Sequence, residues 1–133
     1  MPSEQTISFK EMCARFDVTP RTLRYYEYIE LLNPRKEGRA RFYGPREIAR
    51  MTLILRGRRF GFSLEEIRQL LELYEPGGTN KAQIAATISV GRQRLDDMER
   101  QYAELSEAIA ELKSQLSDAE IRLAAASNDT STG

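Results

Sequence analysis

Twelve positions set the strongest limit on the fold. Ile84, Ile88, Gly91, Leu95, Met98, Tyr102, Leu105, Ile109, Leu112, Leu116, Ala119 and Leu123 follow one another in steps of four and three residues without a break. That spacing lines one stripe of an α-helix, and held over more than five heptads it specifies a coiled coil. At 1.5 Å per residue the helix is about 65 Å long. A single helix of that length has nothing of its own along which to bury the stripe, so it requires a partner helix. Folding back onto its own chain is the simpler alternative, but the stripe outruns any surface the remaining residues offer. Ile88, Leu95, Met98, Tyr102, Leu105, Ile109, Leu112, Leu116 and Leu123 are therefore the expected dimerisation residues. Gly91 is the weak position in the seam and marks a bend or a close contact. An unbroken a/d seam suits parallel and antiparallel pairs alike.

The residues before it read as a compact helical head. Ser8-Phe9-Lys10-Glu11 is a capping box, which opens a helix over Phe9–Phe16. Asp17-Val18 is a tight connection. Thr19 is then a good N-cap and Pro20 suits the first helical position, where its missing N–H costs nothing. Two short helices so closely joined form a helix-turn-helix with the second as reading helix, ending near Ile29–Leu32 ahead of Pro34. On that helix Leu23 and Tyr26 share the inner side, while Arg21, Arg24 and Tyr25 project from others. Guanidinium and phenol groups directed outward suit a DNA groove, since Arg forks onto guanine edges or clamps phosphates and a Tyr hydroxyl bonds a phosphate oxygen.

Arg35 to Tyr43 places basic residues around Gly38 and reads as a small β-hairpin, a wing beside the reading helix. Strand parity puts Arg39, Arg41 and Tyr43 on a basic face and Ala40 with Phe42 on an apolar one. Pro45 starts a third helix with Ile48, Met51, Thr52 and Leu55 as its expected apolar stripe. Ser63-Leu64-Glu65-Glu66 is a second capping box, opening a fourth helix whose Ile67, Leu70, Leu71 and Tyr74 should pack inward before Pro76-Gly77-Gly78 ends it.

The formal net charge is zero, yet its distribution is uneven. Between Lys10 and Phe62 there are thirteen Lys/Arg against six Asp/Glu, and from Pro76 onward six against nine. A basic head on a mildly acidic body points to nucleic acid at one end only. The chain has no histidine and one cysteine, Cys13. An intrachain disulfide and a Cys/His metal cluster are thereby excluded, and Cys13 reads as a small buried hydrophobe. No nucleophile–base pair or phosphate-cradling glycine loop is present, so neither enzyme activity nor a cofactor is expected. No apolar run approaches the ~20 residues of a membrane span and no signal-peptide core opens the chain, which points to the cytoplasm.

Four stretches in this order resemble the MerR family of bacterial transcription regulators: Thr22-Leu23-Arg24-Tyr25-Tyr26-Glu27, Leu31-Leu32 before Pro34-Arg35, Arg41-Phe42-Tyr43, and Arg59 through Ile67. The resemblance is close over Ile7–Tyr74 and architectural over the long helix. It implies a mainly α fold, a winged helix-turn-helix head with a β-hairpin wing and a long C-terminal dimerisation helix in an antiparallel coiled coil. It also implies a homodimer on a near-palindromic operator in the promoter spacer, distorting double-stranded DNA so that RNA polymerase engages both promoter elements. By matching positions it places Thr19, Arg21, Thr22, Arg24 and Tyr25 of the reading helix, Arg39, Arg41 and Tyr43 of the wing, and Arg58 on the DNA. For Arg56, Arg58 and Arg59 a solvated basic face is an equal reading.

The implied division is a flexible N-terminus at 1–6, a DNA-binding domain at 7–75, a hinge at 76–79, a dimerisation helix at 80–126 and a disordered tail at 127–133. Metal-sensing members carry cysteines beside the long helix; here those regions have neither cysteine nor histidine, so no metal is expected. Any small-molecule effector is left undefined. The stretch Leu53–Leu64 resembles the branch controlling branched-chain amino acid and acyl-CoA catabolism. A non-specific architectural DNA-bending protein and a coiled-coil adaptor remain the alternative classes.

Overall fold

The computed structural model describes residues 6–75, 77 and 80–132, with side chains through Asn128. Most of the expected N-terminal tail and hinge therefore lies outside the described residues. The elements run β1 (Ile7–Ser8), α1 (Phe9–Phe16), α2 (Pro20–Tyr28), β2 (Arg35–Glu37), β3 (Ala40–Tyr43), α3 (Pro45–Phe60), α4 (Leu64–Glu72) and α5 (Lys81–Thr132). The fold is mainly helical, with a winged helix-turn-helix head and a long C-terminal helix, as the sequence predicts.

Local chemistry sets the boundaries. Ser8 Oγ accepts the Glu11 N–H at 3.1 Å while Glu11 Oε1 accepts the Ser8 N–H at 2.8 Å, completing the capping box that starts α1. At its other end Asp17 takes a left-handed conformation (φ 53°), and the Val18 N–H bonds the Cys13 carbonyl at 3.1 Å. This 6→1 bond turns the chain sharply into α2. Ser63 and Glu66 form the equivalent box on α4.

The sheet has three antiparallel strands in the order β1-β3-β2, one more than the expected hairpin. Ile7 pairs with Tyr43 and Ser8 with Phe42, so the chain just before α1 is strapped onto the wing. Two residues are too short to show an alternating pattern, which is why β1 is silent in the sequence.

Met12, Leu23, Tyr26, Leu31, Leu32, Tyr43, Met51, Ile54, Ile67 and Leu71 form the head's core. The inner face of α3 is Glu47, Met51, Ile54 and Gly57, whereas Thr52 is exposed and Ile48 and Leu55 only half-buried. The buried face is thus rotated from the expected stripe, because a carboxylate and a glycine, Glu47 and Gly57, carry no apolar signal in the sequence. Gly57 is needed for a close approach: a Cβ there would sit 2.7 Å from Ile67 Cγ1, so α3 and α4 meet through it. Tyr74, expected to pack inward, is instead exposed, because α4 stops at Glu72.

The chain separates into one unit through Ser89 and another from Val90. Along α5, Ile88, Leu95, Met98, Tyr102, Leu105, Ile109, Leu112, Leu116 and Leu123 are all solvent-exposed in the single chain. The helix continues to Thr132, past the expected end at Ala126 and through most of the stretch expected to be a disordered tail. Ala124, Ala125 and Ala126 favour continuing a helix into the polar residues beyond.

Candidate nucleic-acid interface

The reading helix α2 is built to be held from one side and open on the other. Thr19 Oγ1 accepts the Thr22 N–H at 3.0 Å and its hydroxyl donates to Thr22 Oγ1 at 2.9 Å, so both threonines serve the cap. Leu23 and Tyr26 are buried, leaving Arg21, Arg24 and Tyr25 exposed. The Arg21 side chain has no hydrogen-bond or ion-pair partner among the described residues. The Arg24 guanidinium lies over the Phe9 ring, 5.2 Å from its centroid.

Glu27, one turn after Arg24, joins α2 to the wing. Its side chain is only 8% exposed; Arg41 Nε donates to Oε1 at 2.7 Å, and the Tyr43 hydroxyl donates to Oε2. Arg41 and Tyr43 do share a face of β3, but that face turns toward Glu27. Tyr43 is fully buried. Its expected place against DNA is thus corrected: strand parity was right, yet the phenol is long enough to span the core and find an internal acceptor. Burial first, and then the Glu27 hydrogen bond, holds the Tyr43 phenol well above its usual pKa. Arg39 remains exposed, and the Arg35 guanidinium covers the Phe42 ring of the facing strand at 5.1 Å.

A second group of charges fixes the chain leaving α2. Arg68 Nη2 donates to the Ile29 carbonyl at 2.6 Å, Arg50 Nε donates to the Leu31 carbonyl at 2.9 Å, and Glu47 Oε2 accepts the Asn33 N–H at 2.8 Å. Arg46 and Arg50 then converge on Glu75 Oε1, each at 2.7 Å. The bonds to Ile29, Leu31 and Asn33 satisfy backbone groups that this partly buried loop would otherwise leave unpaired. Composition predicts a basic head but not which of its charges are internal; the acidic residues amid the arginines were the available signal.

Arg56, Arg58 and Arg59 are exposed on the last turns of α3, with no described contact to α2 or the wing. Cys13 is half-buried beside the reading helix; burial pushes its thiol pKa up, against the opposing charge of Arg24. No group of three or more His, Cys, Asp or Glu side chains suited to a metal occurs among the described residues.

Two family models cover most of the chain: the MerR HTH family regulatory protein over residues 7–73, and the MerR DNA-binding model over residues 48–115. The HTH-type transcriptional regulator HmrR of Rhizobium leguminosarum bv. viciae is 34% identical over 98 residues, covering 73% of this chain and 74% of its own. The transcription regulator PbrR691 from Ralstonia metallidurans CH34, solved in complex with lead(II), is 26% identical with a TM-score of 0.58, over 80% of this chain and 85% of its own. HiNmlR, a MerR family regulator lacking the sensor domain and bound to promoter DNA, shares the fold at 21% identity and a TM-score of 0.61, over 78% of each chain. With the capped reading helix, the strapped wing and the long exposed seam, these likenesses establish that the chain belongs to the MerR family of helix-turn-helix transcription regulators.

Proposed function

We propose that the protein is a homodimeric, sequence-specific transcription regulator that binds a near-palindromic operator in a promoter spacer and acts by distorting the DNA. The observation that carries this reading is the outward set of Arg21, Arg24 and Tyr25 on a helix whose other side is locked to the wing. Arg21 and Arg24 supply base-edge or phosphate contacts, and Tyr25 supplies a phosphate contact. Thr19 and Thr22 fix the helix start that faces the duplex. Arg39 lies along the neighbouring backbone with Arg41, whose guanidinium is partly used by Glu27, and Arg58 reaches an outer phosphate.

In this reading residues 7–75 are the DNA-binding domain, 76–79 the hinge and 80–126 the dimerisation helix. The exposed seam from Ile88 to Leu123 pairs with that of a second copy, antiparallel as in the family. Two heads on one dimer ask for a dyad, and bending the duplex between half-sites makes sequence-dependent stiffness part of recognition. RNA polymerase is engaged indirectly, through the altered DNA. The absence of a membrane-spanning helix among the described residues fits a cytoplasmic regulator. PbrR691 was solved with lead(II), but with one cysteine and no histidine this chain lacks the soft ligands for such a site. In this reading any effector is a small molecule or another protein, or there is none, and the resemblance of the Leu53–Leu64 stretch supports the branch that controls branched-chain amino acid and acyl-CoA catabolism.

The test pairs two variants. Arg24→Ala should weaken binding to a genome-selected duplex while leaving the dimer intact. Leu112→Asp should give monomers in sedimentation and lose dyad binding. Unchanged DNA affinity in Arg24→Ala contradicts the reading-helix assignment.

A further inference from the structure

We propose that Phe9 is a positioning residue for DNA recognition, aiming the Arg24 guanidinium from beneath. This rests on the reading above, in which Arg24 contacts DNA, and takes that contact to be with a base edge. An exposed arginine on a helix samples many rotamers, and a ring face 5.2 Å from the guanidinium carbon selects among them. Phe9 is itself fixed on both sides. It is the first residue of α1, directly after the Ser8–Glu11 capping box, and it follows the two residues paired with Phe42 and Tyr43 of β3. Its half-buried side chain packs against the core, which limits the positions the ring can take.

The strand that anchors Phe9 also anchors Glu27. From β3, Arg41 and Tyr43 reach Glu27 on α2; through β1, the same strand holds Phe9 under Arg24. Arg24 and Glu27 are one turn apart, so α2 is gripped at two successive turns from a single sheet. The N-terminal strap is thereby part of the reading apparatus and sets where one recognition side chain points.

The experiment uses the full chain, a duplex selected from source-genome fragments by the wild-type protein, and a scrambled duplex of the same composition. The readouts are the affinity ratio between the two duplexes and the salt dependence of binding. Phe9→Leu removes the π face but keeps an apolar side chain, and Phe9→Met serves the same purpose if the leucine variant folds poorly. The expected result is a loss of roughly two- to five-fold in the affinity ratio, from the strength of a solvent-exposed cation–π contact. The salt slope should stay as in the wild type, because no phosphate contact is removed. Phe9→Tyr, which keeps the ring, should retain the wild-type ratio. In an Arg24→Ala background Phe9→Leu should have no further effect, since Phe9 acts through Arg24.

A wild-type ratio in Phe9→Leu, or an equal loss with Arg24 already removed, overturns the proposal while leaving the regulator reading in place. Unchanged affinity for the selected duplex in Arg24→Ala, or failure to select any preferred duplex, defeats that underlying reading and the proposal with it.

Discussion

Arg41 of the wing and Glu27 of the reading helix form a 2.7 Å ion pair in which the carboxylate is almost entirely shielded from water. The same carboxylate accepts the buried Tyr43 hydroxyl, so one acidic side chain ties α2 to the wing through two partners. A shielded charge deprived of its partners is expensive, and removing either side of such a pair is more damaging than the pair's net worth suggests.

Glu27→Ala should therefore destabilise the head by about 1–3 kcal/mol, at the lower end of buried pairs because Arg41 keeps some contact with water. It should also weaken DNA binding, since the wing loses its register with α2. Urea midpoints and binding isotherms on the same preparation check both effects. Wild-type values in both would show that the link is incidental.

Tyr43 supplies a pH signature. Its phenol pKa is raised in the folded state by burial and then by Glu27, so folding favours the neutral form. The stability this contributes is fully present below the unfolded phenol's pKa of about 10 and is lost as pH rises from there toward the folded-state value. Tyr43→Phe should lower stability at neutral pH by about 1 kcal/mol for the lost hydrogen bond, yet flatten the alkaline decline. Urea midpoints between pH 8 and pH 11 measure the difference; equally steep declines in both proteins would contradict it.

Gly57 is where α3 and α4 meet. A methyl group placed there would lie 2.7 Å from Ile67 Cγ1, and Ile67 is fully buried. Gly57→Ala should cost about 1–3 kcal/mol by overpacking, although alanine is the better helix former. The companion Gly57→Ala/Ile67→Val, which trims the clashing side chain, should recover part of the loss. A more stable Gly57→Ala single variant would mean that the two helices can separate freely.

Glu30 sits in the opposite situation. It adopts a left-handed conformation with φ 64°, while the following Leu31 N–H closes onto the Tyr26 carbonyl at 2.9 Å. Side chains pay roughly 1–2 kcal/mol for that conformation and glycine does not. Glu30→Gly should raise stability by about 1 kcal/mol, seen as a higher thermal midpoint, with DNA binding unaltered. A lower midpoint would indicate that the Glu30 side chain supplies a contact that outweighs the strain.

The elements written in local chemistry were legible. Ser8 with Glu11, Thr19 with Pro20, and Ser63 with Glu66 announce helix starts through groups that act within three residues, and the seam of α5 announces itself by period. Pairings between distant segments were not. β1 exists only because β3 offers it a partner, and α3 turns Glu47 inward because the Asn33 N–H and Arg46 compensate its charge. Tyr43 shows the limit within the candidate site. Its parity on the strand was readable, but which side of that strand met the core depended on Glu27, sixteen residues earlier. Phe9 was readable as a helix residue and silent as a support for Arg24, because the contact crosses from one helix to the next.

The most direct test of the central claim is to select fragments bound by the protein from the source genome and footprint the best one. A dyad-symmetric protected region of about two helical turns, lying between promoter elements, is the predicted result. Uniform protection with no preferred fragment would contradict sequence-specific regulation and favour a general DNA-bending role.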